Sequence, residues 1–77
     1  MMPVLEKFHV HVDGYFAPFV IWAENPFQAV SGCRMFDDYN LVDTNPSLNK
    51  FVFSCTMAEP YAVRPCDLRE ISVYKVG

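Results

Sequence analysis

Glycine is scarce and scattered in this 77-residue chain: Gly14, Gly32 and Gly77 are too far apart to cradle a phosphate in a Gly-rich loop. Basic residues are also short, six Lys and Arg against nine Asp and Glu, for a formal net charge of −3. Without a basic stripe there is no counter-charge for a phosphate backbone, so direct nucleic-acid binding is disfavoured. Cysteine occurs three times, at Cys33, Cys55 and Cys66, never as Cys-x-x-Cys. An odd count without paired spacing fits neither a disulfide framework nor a zinc site and reads as reduced thiols in a cytoplasm. Long apolar runs are missing too: the longest, residues 15–23, is far short of a membrane span. The opening Met1-Met2-Pro3-Val4-Leu5-Glu6-Lys7 lacks the basic-then-apolar order of a secretory signal.

What is present is apolar and aromatic. Apolar residues are 52% of the chain, enough for a packed core and too many for a disordered segment. A chain of this length makes one domain, residues 1–77, burying only about 60% of the surface its unfolded form exposes. Seven Phe, four Tyr and one Trp are more rings than so small a core needs, so some are expected at the surface, ready for a partner or a second copy.

The organising stretch is residues 8–22, FHVHVDGYFAPFVIW. Over residues 5–12, Phe8, Val10 and Val12 alternate with Lys7, His9 and His11, the period of a strand. Asp13-Gly14 is a two-residue hairpin signal, because a type I′ turn needs positive φ at both central positions. A two-residue loop sets Val12 opposite Tyr15, Val10 opposite Ala17 and Phe8 opposite Phe19, with Ile21 and Ala23 on the same, core face. The other face then carries His11/Phe16, His9/Pro18, Lys7/Val20 and Leu5/Trp22. Pro18, lacking an N–H, marks the second strand as an edge, so the first must find its other neighbour in the C-terminal half.

A helix starts at Asn25, a good N-cap, followed by Pro26 at the first helical position and Gln28 where a capping-box partner belongs. Ala29, Val30, Cys33 and Phe36 form its apolar face, and Phe27 flanks it. Asp37-Asp38 is unfavourable near a helix C-terminus, which ends the helix at residues 36–39. Residues 41–50, with Asn45-Pro46, read as a polar connector. Residues 51–56 read as a strand, 61–64 as a short strand, 65–70 as a turn with one helical turn at 67–69, and 71–76 as a last strand. The expected fold is α+β: a single antiparallel sheet of four to five strands with one helix packed on one face, in ββαββ or ββαβββ order.

Candidate chemistry is thin. His9, His11 and Asp13 lie on one side of a strand, but successive same-side side chains are roughly 6.5–7 Å apart, and the turn claims Asp13. Two solvent-facing histidines are the simpler reading, and no metal or cofactor is expected. Cys55 or Cys66 as a nucleophile would need a base, and nothing places either histidine beside a cysteine. The chain therefore reads as non-enzymatic. Two surfaces stand out instead. Phe16, Val20 and Trp22 face away from the helix with nothing expected to cover them unless Tyr61 or Tyr74 folds over. Asp37, Asp38 and Tyr39, with Asp43, form an acidic patch suited to a basic protein groove.

In size, acidity and arrangement (the hairpin of residues 8–22, the helix from Asn25, strands after Phe51) the chain resembles the small α+β proteins of phages and mobile elements, anti-CRISPR proteins among them. That resemblance implies an inhibitor that occupies a surface of a host nucleic-acid-handling complex, without contacting nucleic acid or membrane. The alternative is a small structural or regulatory protein that works as a homodimer through the apolar outer face of its hairpin.

Overall fold

Alternation at Phe8, Val10 and Val12 is realised as strand β1, Glu6–Val12, in the computed structural model, which describes residues 2–64 and 67–77. The chain continues through β2 (Phe19–Ala23), helix α1 (Pro26–Ser31), β3 (Phe36–Asn45), a 3-10 turn at Pro46–Leu48, β4 (Lys50–Met57) and β5 (Leu68–Val76). The five strands form one antiparallel sheet in the order β2-β1-β5-β4-β3, and α1 packs on one face. The α+β architecture expected from the sequence is the one observed, in its ββαβββ form.

The core lies between that inner face and α1. Phe8, Val10 and Val12 from β1, Phe53 and Cys55 from β4, and Ile71 and Val73 from β5 are buried beneath Ala29 and Val30 of the helix. Phe27, at the flank of the helix, meets the Phe53 ring edge-to-face at 5.3 Å between centroids. Asn25 caps the helix through its side-chain oxygen, which accepts from the Gln28 N–H at 2.8 Å. The Gln28 side chain reaches back one residue further than a capping box requires and accepts from the Glu24 N–H at 2.6 Å.

The hairpin is looser than Asp13-Gly14 predicts. Residues 13–18 form the connection, Gly14 takes φ +90, and Phe8 pairs with Ile21 while Val10 pairs with Phe19. The register thus differs by two residues from the expected one. Side chains repeat every two residues along a strand, so this shift leaves every face assignment of β2 intact. Tyr15 and Phe16 are displaced from the strand into the loop, where Tyr15 touches Phe19 at 5.9 Å between ring centroids. Pro18 precedes β2 and has no partner in the ladder, yet β2 is an edge strand and β1 finds its second neighbour in β5, as expected.

The helix corrects the sequence reading. It stops at Ser31, with the Gly32 N–H bonded to the Gln28 carbonyl, not at residues 36–39. Glycine costs about 1 kcal/mol in a helix interior relative to alanine, and Cys33 reaches the core from the turn after the helix while Phe36 reaches it from the start of β3. Phe36–Asn45 is a full strand paired to β4, where a helix end and a polar connector were expected. Residues 61–64 are not a strand: the Tyr61 and Ala62 N–H groups both bond the Ala58 carbonyl in a turn. Of the turn expected at 65–70, Pro65 and Cys66 lie outside the described residues, and Leu68, Arg69 and Glu70 belong to β5 rather than to a helical turn.

One polar cluster holds the turn end of the sheet. Asp67 is 3% exposed, and its carboxylate accepts from the Arg69 Nε at 3.1 Å and from the Val63 N–H at 3.2 Å. Arg69 also donates through Nη1 to the Asp13 carbonyl at 2.9 Å. The Arg69 guanidinium, seconded by the Val63 N–H, holds the Asp67 carboxyl below the usual carboxylate range.

Two stability predictions follow from these contacts. Removal of the cap by Asn25→Ala lowers the free energy of unfolding by about 1 kcal/mol, read from the urea midpoint. The Asp67 carboxyl titrates lower when folded than unfolded, so its stabilisation is complete above the unfolded carboxylate range and lost as the pH falls through the folded value. Asp67→Asn therefore makes urea stability less pH-dependent below about pH 4 than in the wild type; parallel acid limbs would refute this.

Candidate functional site

A sheet with one helix has one face without a helical cover. On this outer face the pairing aligns Val20 and Trp22 of β2 beside His9 and Lys7 of β1, then Tyr74 and Val76 of β5, then Lys50 of β4. Its centre is a ladder of polar rings. His9 and His11 stand 6.4 Å apart between ring centroids, His11 meets the Tyr74 ring edge-on at 5.3 Å, and the Lys50 ammonium lies 5.6 Å from the centre of that ring. Tyr74 is half-buried in this ladder, so it dresses the middle of the face. It leaves the β2 corner open: Trp22 is 61% exposed and Val20 51%. Tyr61, also half-exposed, lies in the 58–64 turn rather than in a strand over the sheet.

The sequence-predicted residues are placed as follows. Val20 and Trp22 share the outer face of the edge strand β2, as expected. Phe16 is fully exposed but sits in the 13–18 loop, so the sheet register does not align it with them. Asp37, Asp38 and Tyr39 lie on β3, at the opposite edge of the sheet. Four inter-strand spacings separate the two edges, about 19 Å in all, so the two patches are separate surfaces. Asp37 and Asp38 are exposed, whereas Tyr39 packs against the core and is only half-exposed.

The shape of β3 sets the acidic edge. The pairing with β4 slips between Asp37 and Asn40 and again between Leu41 and Asp43, and Asp38 takes φ 45 at the first bulge. The Asn40 side-chain amide donates to the Asp38 carbonyl at 3.1 Å, and the Thr56 hydroxyl donates to the Asp37 carbonyl at 3.1 Å. These bonds fix the backbone and leave both carboxylates directed at solvent.

Sequence reasoning missed one feature. A groove of about 450 Å3 opens at the turn end of the outer face, lined by His11, Tyr15, Glu70 and Ser72 among others. Asp13, Gly14 and Tyr15 of the six-residue hairpin loop form part of its lining, and the Asp13-Gly14 signal conceals the length of that loop. Among the described residues no group of three or more His, Cys, Asp or Glu is arranged to hold a metal ion. No described helix is long and apolar enough to cross a membrane.

The two described thiols are chemically quiet. Cys33 and Cys55 are both buried and free. Burial pushes the Cys55 thiol up to about 11 against a smaller opposing pull from Arg69, and burial raises Cys33 as well. Both are therefore neutral thiols near pH 7, and the Cys55 S–H donates to the Arg69 carbonyl at 3.6 Å. Cys66, the other candidate nucleophile, lies outside the described residues.

No family model, curated protein or solved structure matches this chain.

Iodoacetamide applied to the native protein at mildly alkaline pH should leave Cys33 and Cys55 unmodified, with both labelled once urea is added. Peptide mass mapping reads each site separately. Labelling of Cys55 in the native state at the rate of a free thiol would contradict its burial.

Proposed function

We propose that the chain is a non-enzymatic protein-binding module that holds a protein partner at the β2 corner of its outer face. Trp22 carries the reading. It is the chain's one tryptophan, it projects from a regular strand with more than half its surface in water, and Val20 lies beside it on the same face. Holding a large apolar ring in water costs on the order of 2 kcal/mol relative to burying it, and tryptophan is a favoured anchor where proteins meet. The pairing of β2 to β1 fixes its backbone, so a partner would meet the ring on a pre-ordered strand.

The narrower form of the proposal is an inhibitor encoded by a phage or mobile element, anti-CRISPR-like, that occupies a surface of a host nucleic-acid-handling complex. Its support is the net charge of −3 and the exposed Asp37 and Asp38 on a bulged edge, which would face a basic groove and compete with phosphate there. The protein would act in the cytoplasm, where its buried thiols stay reduced.

Binding to purified CRISPR effector complexes, together with phage plaquing in cells that express the protein, tests this. Trp22→Ala should weaken capture by about 30-fold, while Asp37→Asn/Asp38→Asn should slow association and reduce its salt dependence. Absence of capture and of plaquing relief in every matched system would remove the narrower form. Equal binding of one partner by wild type and Trp22→Ala would remove the β2 corner as the interface.

A further inference from the structure

The edge of β2 is a different surface from its outer face, because main-chain groups point along the sheet and side chains point out of it. Which groups lie at that edge can be worked out from bonds deeper in the sheet. The Asp13 N–H bonds the Glu70 carbonyl at 3.2 Å, in register with the β1–β5 ladder. Odd-numbered residues of β1 therefore exchange hydrogen bonds with β5, and even-numbered ones turn toward β2. The bond from the Lys75 N–H to the Asn49 carbonyl fixes the same parity from the other side of β5. It follows that Phe19, Ile21 and Ala23 bond to β1, while the N–H and C=O groups of Val20 and Trp22 point out from the free edge.

That edge is short and bounded. Pro18, just before it, has no N–H to offer. The N–H of Glu24, just after it, is taken by the Gln28 side chain at 2.6 Å. Two residues with four main-chain groups remain, spaced symmetrically about Ile21. An antiparallel strand that presents the same two residues satisfies all four groups: Val20 exchanges both its bonds with Trp22 of the second copy, and Trp22 does the same with its Val20.

We infer that β2 is the pairing edge of a two-fold symmetric dimer, a second copy of this chain adding antiparallel at Val20 and Trp22 with Ile21 on the axis. The two sheets then join into one of ten strands. On the outer face each Val20 stands beside the other copy's Trp22, a β-branched–aromatic cross-strand pair of the favourable kind. The segment from Phe19 to Ala23 carries no charge, so two copies of a chain with a net charge of −3 approach there without facing carboxylates.

The opposite edge explains why the assembly stops at two. β3 presents Asp37, Asp38 and Asp43, and its pairing is broken by two bulges, so a second β3 would bring like charges together on an irregular edge. One edge open and one blocked gives a closed pair instead of a growing sheet. The hydrogen bonds of this pairing use the rim of β2, and on the outer face they bring the Val20 and Trp22 of both copies into one continuous corner, the same corner proposed above to hold a foreign partner.

Sedimentation equilibrium on the full chain, from micromolar to millimolar, should show the mass rising from 8.9 kDa to twice that value. Val20→Pro removes an outward N–H without touching the β1 ladder, so it should lose the dimer while keeping the wild-type circular dichroism spectrum. Amide exchange in the wild type supplies a second reading that survives any misfolding of that variant. The Val20 and Trp22 amides should slow as concentration rises, and those of Phe19 and Ile21 should not change. A chain that stays monomeric throughout, or a dimer in which Val20 and Trp22 exchange at the monomer's rate, overturns the inference.

Discussion

The Arg69 guanidinium is the constraint on which the turn end of this molecule depends. It bonds the buried carboxylate of Asp67 two residues away and the carbonyl of Asp13, 56 residues away in sequence. Asp67 in turn receives the Val63 N–H, so the 58–64 turn and the 13–18 hairpin loop hang from one Asp67–Arg69 pair. Gly14 shows how close the fit is. A Cβ there would stand 3.0 Å from the Arg69 Nη1, and the φ of +90 already favours glycine. The loop that begins at Asp13-Gly14 is therefore shaped by the far strand as much as by its own turn chemistry.

From that anchored end the sheet divides its labour by face. The inner face gives its side chains to a core that a six-residue helix and its flanking turns close. The outer face has no helix to match, and it solves the problem unevenly. Its centre is covered by the mutual contacts of His9, His11, Tyr74 and Lys50, which are content in water. Its β2 corner keeps Trp22 and Val20, which are not. A contiguous apolar corner beside a polar centre would confine the proposed protein contact to one end of the face.

Much of this was legible in the sequence where local chemistry and tertiary packing agree. Alternation at Phe8, Val10 and Val12 placed one strand and its buried side, residues 51–56 were legible as a second strand, and Asn25-Pro26 placed the helix start. The sidedness of Trp22 survived an error of register because the error was an even number of residues. Three elements were not legible. Gly32 stopped the helix early, although the periodicity of Ala29, Val30, Cys33 and Phe36 ran past it and correctly marked all four as buried. Strand β3 has Phe36 as its only fully buried residue, so FDDYNLVDTN carries no alternating signal and owes its strand to β4. The two candidate patches read as two surfaces from the start, but their distance apart was not legible, and only the strand order puts them at opposite edges.

That same strand order shapes the route to the fold. β1 lies between β2, its neighbour in sequence, and β5, which lies beyond every other element. Until β5 docks, the hairpin has Phe8, Val10 and Val12 on a strand with one side unsatisfied, and local contacts alone cannot complete it. Pairings of such long sequence separation are reached late because the loop must close before any contact repays its entropy. A sheet still lacking β5 would thus carry a second open edge that the finished molecule hides, and a net charge of −3 on every copy would oppose the approach of neighbouring chains to it.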